Sequence, residues 1–324
     1  RPRLESTFKG LPTVPDYLDE AEVDGRMQHS ENPDAAAHIE SLQQVADPKI
    51  DENDLHLEVN DLQVHFPERA GIFSAPKGVV KAVDGISFTV ARGSTLGLVG
   101  ESGCGKTTTG RAILNLLMPT AGSVRFAGQE IAGFDAAAMM PLRKQMQMIF
   151  QDPYSSLNPR LTIEQALTEP MAVHGIGRHH AERRDRAAAL LNEVGLEARF
   201  LRRYPHEFSG GQRQRICVAR ALSLEPEFIV CDEAVSAMDV SVQAQVLNLL
   251  KELQLRRNLT YIFISHDLSV VHFTADTMAV MEGGRIIEQG RAEEVYANPS
   301  EAYTRRLIDA IPRDSVDFIR ERMG

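Results

Sequence analysis

A glycine-rich segment that ends in lysine and threonine carries the strongest chemical signal in the sequence. It fits the pattern G-x-x-x-x-G-K-[ST] of phosphate-binding loops without a mismatch, and its residues are Gly100, Glu101, Ser102, Gly103, Cys104, Gly105, Lys106 and Thr107. In such a loop, backbone N–H groups surround phosphate oxygens, and the following helix adds the positive end of its dipole. We expect Lys106 to reach the β- and γ-phosphates and the Thr107 hydroxyl to bind Mg²⁺.

The alternative interpretation is a glycine-rich turn that serves only the fold. It is disfavoured by the elements on either side. Thr95–Val99 predicts a short buried strand directly before the loop, and Lys106–Met118 predicts a helix directly after it, ended near Pro119. The phosphate-loop mechanism requires this strand–loop–helix order.

Two acidic residues end a second apolar run. Phe228–Cys231 predicts a buried strand, and Asp232 and Glu233 follow it directly. Side chains at the carboxyl ends of strands in an α/β sheet lie where such sheets bind ligands. Asp232 suits the outer shell of Mg²⁺, and Glu233 is then placed to polarise an attacking water. Acids after a strand are common, so this pair predicts nucleotide hydrolysis only in combination with the phosphate loop.

A third motif, Ser209-Gly210-Gly211-Gln212, precedes a helix that we expect to run to about Leu222. Two glycines at a helix start expose backbone N–H groups to an anion, and Ser209 can cap the helix. An ordinary glycine-bearing helix cap explains the same residues, so the motif decides little by itself.

The elements around these motifs alternate between strand and helix. We predict strands at 55–66, 86–90, 228–231 and 261–264, a loop at 67–78, helical structure at about 155–208, and a helix around 242–257. Strands that alternate with helices indicate a parallel central sheet. The first two segments alternate apolar and polar residues, as strands with one buried face do.

Composition excludes several classes of protein. Hydrophobic residues make up 43% and charged residues 25%, which are ordinary globular values, and no apolar run approaches the length of a membrane span. Residues 1–54 hold 13 acidic and 5 basic residues, so this segment carries −8 of the formal net charge of −10. We predict that it is an acidic linker or tail, largely irregular, with a short helix near 35–45. Such a charge argues against a nucleic-acid partner.

Taken together, the motifs resemble the ATP-binding cassette ATPases, over about residues 55–290. The phosphate loop, Gln151, Ser209–Gln212, Asp232-Glu233, Asp239 and His266 occur in that family's order. Within this family the sequence is most similar to the ATPase subunits of peptide importers. The similarity lies in the segments Gln151–Pro159, Tyr204–Phe208, Asp239–Gln245 and Tyr303–Pro312.

The resemblance implies an α/β fold of the P-loop NTPase (RecA-like) kind. Its core would contain a parallel central sheet, joined by an antiparallel β subdomain and by a helical subdomain at about 152–222. The cassette would span 55–289, and 290–324 would be a C-terminal extension typical of peptide importers. The opening residues also resemble the tail of a preceding cassette, so the chain could be the second half of a fused double cassette.

The resemblance also implies roles for single residues. Gln151 would contact Mg²⁺ or the attacking water, His266 would hold the γ-phosphate and Glu233 in register, and Asp239 would line the seam between two cassettes. The expected ATP-binding set is Gly100, Glu101, Ser102, Gly103, Cys104, Gly105, Lys106, Thr107, Thr108, Ser209, Gly210, Gly211, Gln212 and Asp239. The expected catalytic set is Glu233, His266 and Gln151, and the expected Mg²⁺ set is Thr107, Gln151 and Asp232. Phe73 is the candidate for stacking on adenine.

The implied function is ATP hydrolysis that powers import of peptides or related small solutes through a membrane permease. The implied partners are a second cassette, two integral membrane permease subunits and, indirectly, a solute-binding protein, with no nucleic acid. The implied location is the cytoplasmic face of the bacterial inner membrane, as a peripheral protein. A soluble cassette ATPase that acts on ribosomes or DNA is the alternative. Dipeptides and oligopeptides lead as solutes, with glutathione, nickel and peptide antibiotics as further possibilities.

Overall fold

The computed structural model describes residues 19–23, 26–30, 51, 53–69, 76–236 and 238–311. Its strands are β1 Asp19–Val23, β2 Arg26–Ser30, β3 Leu55–Arg69, β4 Pro76–Ala91, β5 Thr95–Val99, β6 Ala121–Phe126, β7 Gln129–Glu130, β8 Met146–Ile149, β9 Phe228–Asp232, β10 Thr260–Ser265, β11 Thr277–Glu282 and β12 Arg285–Arg291. Its α-helices are α1 Lys106–Ile113, α2 Ala136–Met139, α3 Leu142–Gln145, α4 Pro153–Ser156, α5 Ile163–Val173, α6 His180–Glu193, α7 Gly210–Leu222, α8 Val240–Arg257, α9 Leu268–Thr274, α10 Ala292–Ala297 and α11 Ala302–Asp309. Short 3-10 helices lie at Ala198–Arg202 and Pro205–Glu207.

The chain forms two compact units. The first, which we call the core unit, contains the described residues of the ranges 51–150, 225–234 and 259–311. The second, the helical unit, contains Gln151–Leu224 and Val235–Asn258. No helix among the described residues combines the length and the apolar composition needed to cross a membrane.

A six-stranded sheet forms the centre of the core unit, in the order β12-β11-β5-β10-β9-β8. All neighbouring pairs are parallel except β11 and β12. Every residue of β5, β9 and β10 is buried, which explains why these strands appear in the sequence as continuous apolar runs. The prediction of an α/β fold with a parallel central sheet is confirmed.

A four-stranded antiparallel sheet, β4-β3-β6-β7, is the second layer of the core unit. Our prediction of a loop at 67–78 was wrong, because β3 continues to Arg69 and β4 begins at Pro76. The polar pair Asn60-Asp61 lies at a register shift in the pairing of β3 with β4. Asp61 has a positive φ of 47° there, and its N–H donates to the Ser87 hydroxyl at 2.9 Å.

Helix α1 is shorter than the sequence predicted. We expected it to reach Met118, but it ends at Ile113, because Asn115 adopts the left-handed conformation with φ 50°. The Asn115 N–H donates to the carbonyl of Ala112 at 3.0 Å, and the Leu116 N–H donates to that of Arg111 at 2.8 Å. These two bonds define a Schellman cap, for which asparagine is the usual substitute for glycine.

His56 connects the antiparallel sheet to the central sheet. It is fully buried on β3, and its Nδ1 lies 2.7 Å from the Thr260 hydroxyl of β10. That hydroxyl also accepts the Gly93 N–H at 2.9 Å. Burial, and then the charge of Arg92, lower the pKa of His56 to about 4, against the opposing effect of Glu227. The junction is therefore built for an uncharged ring.

Strands β1 and β2 pair antiparallel within the leading segment, with Asp19 opposite Ser30 and Val23 opposite Arg26. They differ from the irregular backbone that we predicted for most of residues 1–54. The sequence between them, Asp24-Gly25, is typical of two-residue hairpin turns and is the signal that could have revealed them. The helix that we expected near 35–45 lies outside the described residues.

Candidate active site

The phosphate loop connects β5 to α1, as the motif predicted. Gly100, Gly103 and Gly105 all have positive φ, at 150°, 85° and 112°. A Cβ on Gly105 would lie 2.2 Å from the carbonyl oxygen of Ala82, and one on Gly100 would lie 2.2 Å from that of Met281. Only glycine fits these two positions, because a side chain would clash with backbone carbonyl oxygens that pack against the loop.

The Lys106 side chain folds back over this loop. It is 4% exposed, and its Nζ donates to the carbonyl oxygens of Gly100 at 2.6 Å and Glu101 at 2.9 Å. The Cys104 sulfur lies 3.7 Å from the same nitrogen. An ammonium group has three donors. The two carbonyls orient it, and the third donor makes the long contact to the Cys104 sulfur, the weakest of the three and the one that an anion can replace.

Thr107 and Asp232 are in direct contact. The Thr107 hydroxyl donates to Asp232 Oδ1 at 2.8 Å, although 125 residues separate the two in sequence. Asp232 ends β9 and is 2% exposed. Burial raises the pKa of Asp232, and the Thr107 bond and the nearby charges of Arg111 and Lys106 oppose that rise. A buried carboxylate and a hydroxyl therefore meet at the carboxyl edge of the central sheet, beside the phosphate loop.

Glu233 takes an unusual backbone conformation directly after Asp232. Its φ is 46°, and its N–H donates to the carbonyl of Ile264 at 2.9 Å. Its carboxylate lies 3.4 Å from His266 Nδ1, with the glutamate side chain 12% exposed and the histidine side chain 49% exposed. Because β9 and β10 are parallel neighbours, their following residues meet at one edge. The core unit thus brings together the phosphate loop, Asp232, Glu233 and His266.

The remaining predicted residues belong to the helical unit. Ser209 and Gln212 form a reciprocal capping box at the start of α7: the Gln212 N–H donates to Ser209 Oγ at 3.3 Å, and the Ser209 N–H donates to Gln212 Oε1 at 3.1 Å. A Cβ on Gly211 would lie 2.4 Å from Val242 of α8, so the glycine is required for close helix packing. Asp239 is exposed and caps α8 through the Val242 N–H at 3.0 Å. Gln151 begins the helical unit, two residues before α4.

One residue in contact with the loop was missed by sequence reasoning. The Glu101 N–H donates to the Tyr303 hydroxyl at 3.0 Å, and no spacing rule links a C-terminal tyrosine to a phosphate loop. The only signal was the similarity of the segment that begins at Tyr303 to the ending of peptide-importer subunits. Phe73, the candidate for stacking on adenine, lies outside the described residues.

Comparisons with known proteins find similar sequences in one family. The family model described as ABC transporter matches residues 83–236. The chain is 49% identical over 268 residues to the oligopeptide transport ATP-binding protein OppF of Bacillus subtilis, covering 82% of this chain and 86% of that protein. It is 47% identical over 267 residues to the dipeptide transport ATP-binding protein DppF of Escherichia coli, covering 82% and 79%. It is 50% identical over 256 residues to the glutathione import ATP-binding protein GsiA of Pectobacterium atrosepticum, covering 79% of this chain but 41% of that protein.

Solved structures show the same fold. The post-hydrolysis dimer of the ATP-binding cassette MJ0796, bound to ADP and Pi, superposes with a TM-score of 0.65 at 25% identity, covering 73% of this chain and 98% of that one. The structure of cbiO1 from Clostridium perfringens, part of the transporter complex cbiONQ, gives a TM-score of 0.66 at 27% identity, covering 83% and 100%. Because about half of its residues are identical to those of OppF over most of both chains, this protein belongs to the ABC transporter family, as one of its ATP-binding cassette ATPases.

Proposed function

We propose that this chain is the ATP-hydrolysing subunit that powers import of peptides through a membrane permease. The observation that carries the proposal is the 2.8 Å contact between Thr107 and Asp232 beside the Lys106 ammonium, in a chain whose relatives are named for oligopeptide and dipeptide transport. These relatives do not favour the alternative of a soluble ATPase that acts on ribosomes or DNA.

In this proposal the phosphate loop holds the triphosphate of ATP. The amide groups at the start of α1 surround the β-phosphate, where the helix dipole favours negative charge. The Lys106 donor that contacts the Cys104 sulfur turns to the β/γ-phosphate oxygens, which a loop lysine reaches as a point charge. The full binding set in the core unit is Gly100, Glu101, Ser102, Gly103, Cys104, Gly105, Lys106, Thr107 and Thr108.

The residues at the sheet edge fit Mg²⁺. The ion prefers hard oxygen ligands such as carboxylates and hydroxyls. Thr107 Oγ1 and Asp232 Oδ1 are 2.8 Å apart, and the buried carboxylate gains from a cation that offsets its lost hydration. Held by Thr107 and Asp232, Mg²⁺ would supply positive charge that offsets the negative charge developing on the phosphates. The resemblance to the family adds Gln151 as a third proposed contributor.

Glu233 is the proposed general base for hydrolysis. A water oxygen attacks the γ-phosphorus, the water proton passes to the Glu233 carboxylate, and the bond to the β-phosphate oxygen breaks to leave ADP and phosphate. His266, at 3.4 Å, orients Glu233 and the γ-phosphate, and Gln151 contacts the attacking water. The left-handed backbone of Glu233, fixed by its bond to the Ile264 carbonyl, aims the carboxylate.

The exposed motifs of the helical unit are assigned to a second cassette. Ser209, Gly210, Gly211 and Gln212 offer a helix N-terminus to the γ-phosphate of ATP bound by the partner, and Asp239 lines the seam. We therefore expect the isolated chain to be monomeric without nucleotide and to dimerise with ATP. Light scattering checks this, and a stable nucleotide-free dimer would contradict it.

The test of the proposed function is import in cells of the source organism. We expect cells whose only copy of this chain carries Lys106→Ala to lose uptake of labelled peptides, and the affinity-tagged parent chain to co-purify with two integral membrane proteins and to sit at the cytoplasmic membrane surface. Labelled di- and tripeptides, glutathione and nickel are compared in the same cells. Retained uptake of all four solutes in the Lys106→Ala cells refutes the proposal, and loss of glutathione or nickel uptake alone changes the solute.

A further inference from the structure

The C-terminal extension contacts the phosphate loop through one hydroxyl. Tyr303, on α11, is 6% exposed, and its oxygen accepts the Glu101 N–H at 3.0 Å across a sequence separation of 202 residues. The second loop residue is therefore held by an element outside the strand–loop–helix motif.

The same peptide group is held from both sides. The carbonyl oxygen of Gly100 accepts Lys106 Nζ at 2.6 Å, and the N–H of that peptide, which belongs to Glu101, donates to Tyr303. A hydrogen bond at the N–H polarises the carbonyl and strengthens it as an acceptor. Tyr303 therefore supports the bond that orients the lysine, without touching the lysine itself.

The start of α11, the helix that carries Tyr303, is anchored to the central sheet. Glu288, on β12, accepts the Ser300 N–H at 2.6 Å, the Ser300 hydroxyl at 2.8 Å and the Glu301 N–H at 3.2 Å, which anchors the chain directly before α11. The Arg306 guanidinium lies 5.6 Å from the centre of the Tyr303 ring and 3.7 Å from the Glu282 carboxylate of β11. The hydroxyl is consequently a fixed acceptor, as precise positioning requires.

We propose that Tyr303 is a positioning residue for Lys106, acting through the Gly100–Glu101 peptide. The hydroxyl keeps this peptide in the rotation that aims the Gly100 carbonyl at the Lys106 ammonium. The ammonium donor that lies on the Cys104 sulfur is then oriented to bond the phosphates of ATP instead. Without the hydroxyl, the peptide rotates more freely and the lysine must be ordered when ATP binds, which costs affinity. The inference rests on the proposed role of the loop in binding ATP.

The first test is Tyr303→Phe in the full chain, which removes the hydroxyl and keeps the ring. We expect the dissociation constant for ATP with Mg²⁺, measured by titration calorimetry, to rise about two- to tenfold, the value of one net hydrogen bond. The matched control is Tyr296→Phe on α10, because that ring stacks on His272 with centroids 4.2 Å apart. The control is expected to bind ATP as the parent chain does. Equal affinity of Tyr303→Phe and the parent overturns the inference.

A double-mutant cycle distinguishes positioning from general support of the fold. In the Lys106→Ala background we expect Tyr303→Phe to change ATP affinity less than twofold, because the group through which it acts is gone. The same fold-loss in both backgrounds would show that Tyr303 does not act through Lys106. A parent chain that binds no ATP overturns the proposed function and the inference together, whereas parent binding with an unchanged Tyr303→Phe overturns the inference alone.

Discussion

Replacing Glu233 with glutamine separates binding of ATP from its hydrolysis. The change keeps the size of the side chain and a hydrogen-bonding partner for His266 at 3.4 Å, and it removes only the negative charge that accepts the water proton. The backbone bond from Glu233 to the Ile264 carbonyl is unaffected, so the left-handed turn is expected to persist. The variant therefore probes chemistry and not folding.

The magnitude follows from the role of a general base. Positioned acid–base groups contribute about 10²–10⁴-fold to rate, or roughly 3–5 kcal/mol of barrier. Lys106, Thr107 and Asp232 are unchanged in Glu233→Gln, and the hydrogen bonds from Lys106 to the Gly100 and Glu101 carbonyls and from Thr107 to Asp232 persist. We expect the single-turnover hydrolysis rate to fall by that factor while ATP and Mg²⁺ bind as before, so that ATP accumulates in a long-lived dimer.

The neighbouring acid provides the matched control. In Asp232→Asn the amide oxygen still accepts the Thr107 proton, but the charge that holds Mg²⁺ is lost. Because burial raises the pKa of Asp232, the nucleotide-free fold disfavours its charge, and the asparagine variant should be at least as stable as the parent. Its affinity for Mg²⁺ with ATP should nevertheless fall.

Single-turnover hydrolysis of radiolabelled ATP, measured beside nucleotide and Mg²⁺ affinity for both variants, decides between these roles. A Glu233→Gln chain that no longer binds ATP, or that hydrolyses it at the parent's rate, would refute the assignment of Glu233 as the base. An Asp232→Asn chain with unchanged Mg²⁺ dependence would refute the metal assignment.

Three further perturbations test the binding loop and the fold. Lys106→Ala removes a charge-assisted bond to the phosphates, so calorimetry should show ATP affinity lower by about 10- to 150-fold. His56 has a folded pKa of about 4 against an ordinary value of 6.5, so the unfolded chain binds the extra proton in that window and the free energy of unfolding falls as pH falls through it. In His56→Phe this fall should be smaller by up to about 3 kcal/mol in denaturant titrations at several pH values. Gly97→Ala places a Cβ 2.0 Å from Val271 and should cost about 1–3 kcal/mol of stability, and adding Val271→Ala should restore part of it.

Local motifs were readable from the sequence, and long-range pairings were not. The phosphate loop, the acids after β9 and the buried strands β5, β9 and β10 each follow from a few adjacent residues. The order that places β5 between β10 and β11 depends on packing between distant segments, and no spacing encodes it. The Tyr303 contact escaped for the same reason. The sequence did contain a signal for the early end of α1. Asparagine shortly after a helix is a known stop signal, and Asn115 lies two residues after the last helical residue, Ile113.

The position of β5 in the sheet has a consequence for synthesis. Both strands that pair with β5 come much later in the chain, at Thr260–Ser265 and Thr277–Glu282. At about 5–20 residues per second, a ribosome needs roughly 10–30 s after finishing β5 before its first partner leaves the exit tunnel. During that interval β5 has no partner on either edge, although every one of its residues is buried in the folded protein. Unpaired apolar strand edges promote aggregation. We therefore expect the nascent chain to need protection by chaperones until β10 and β11 have been synthesised.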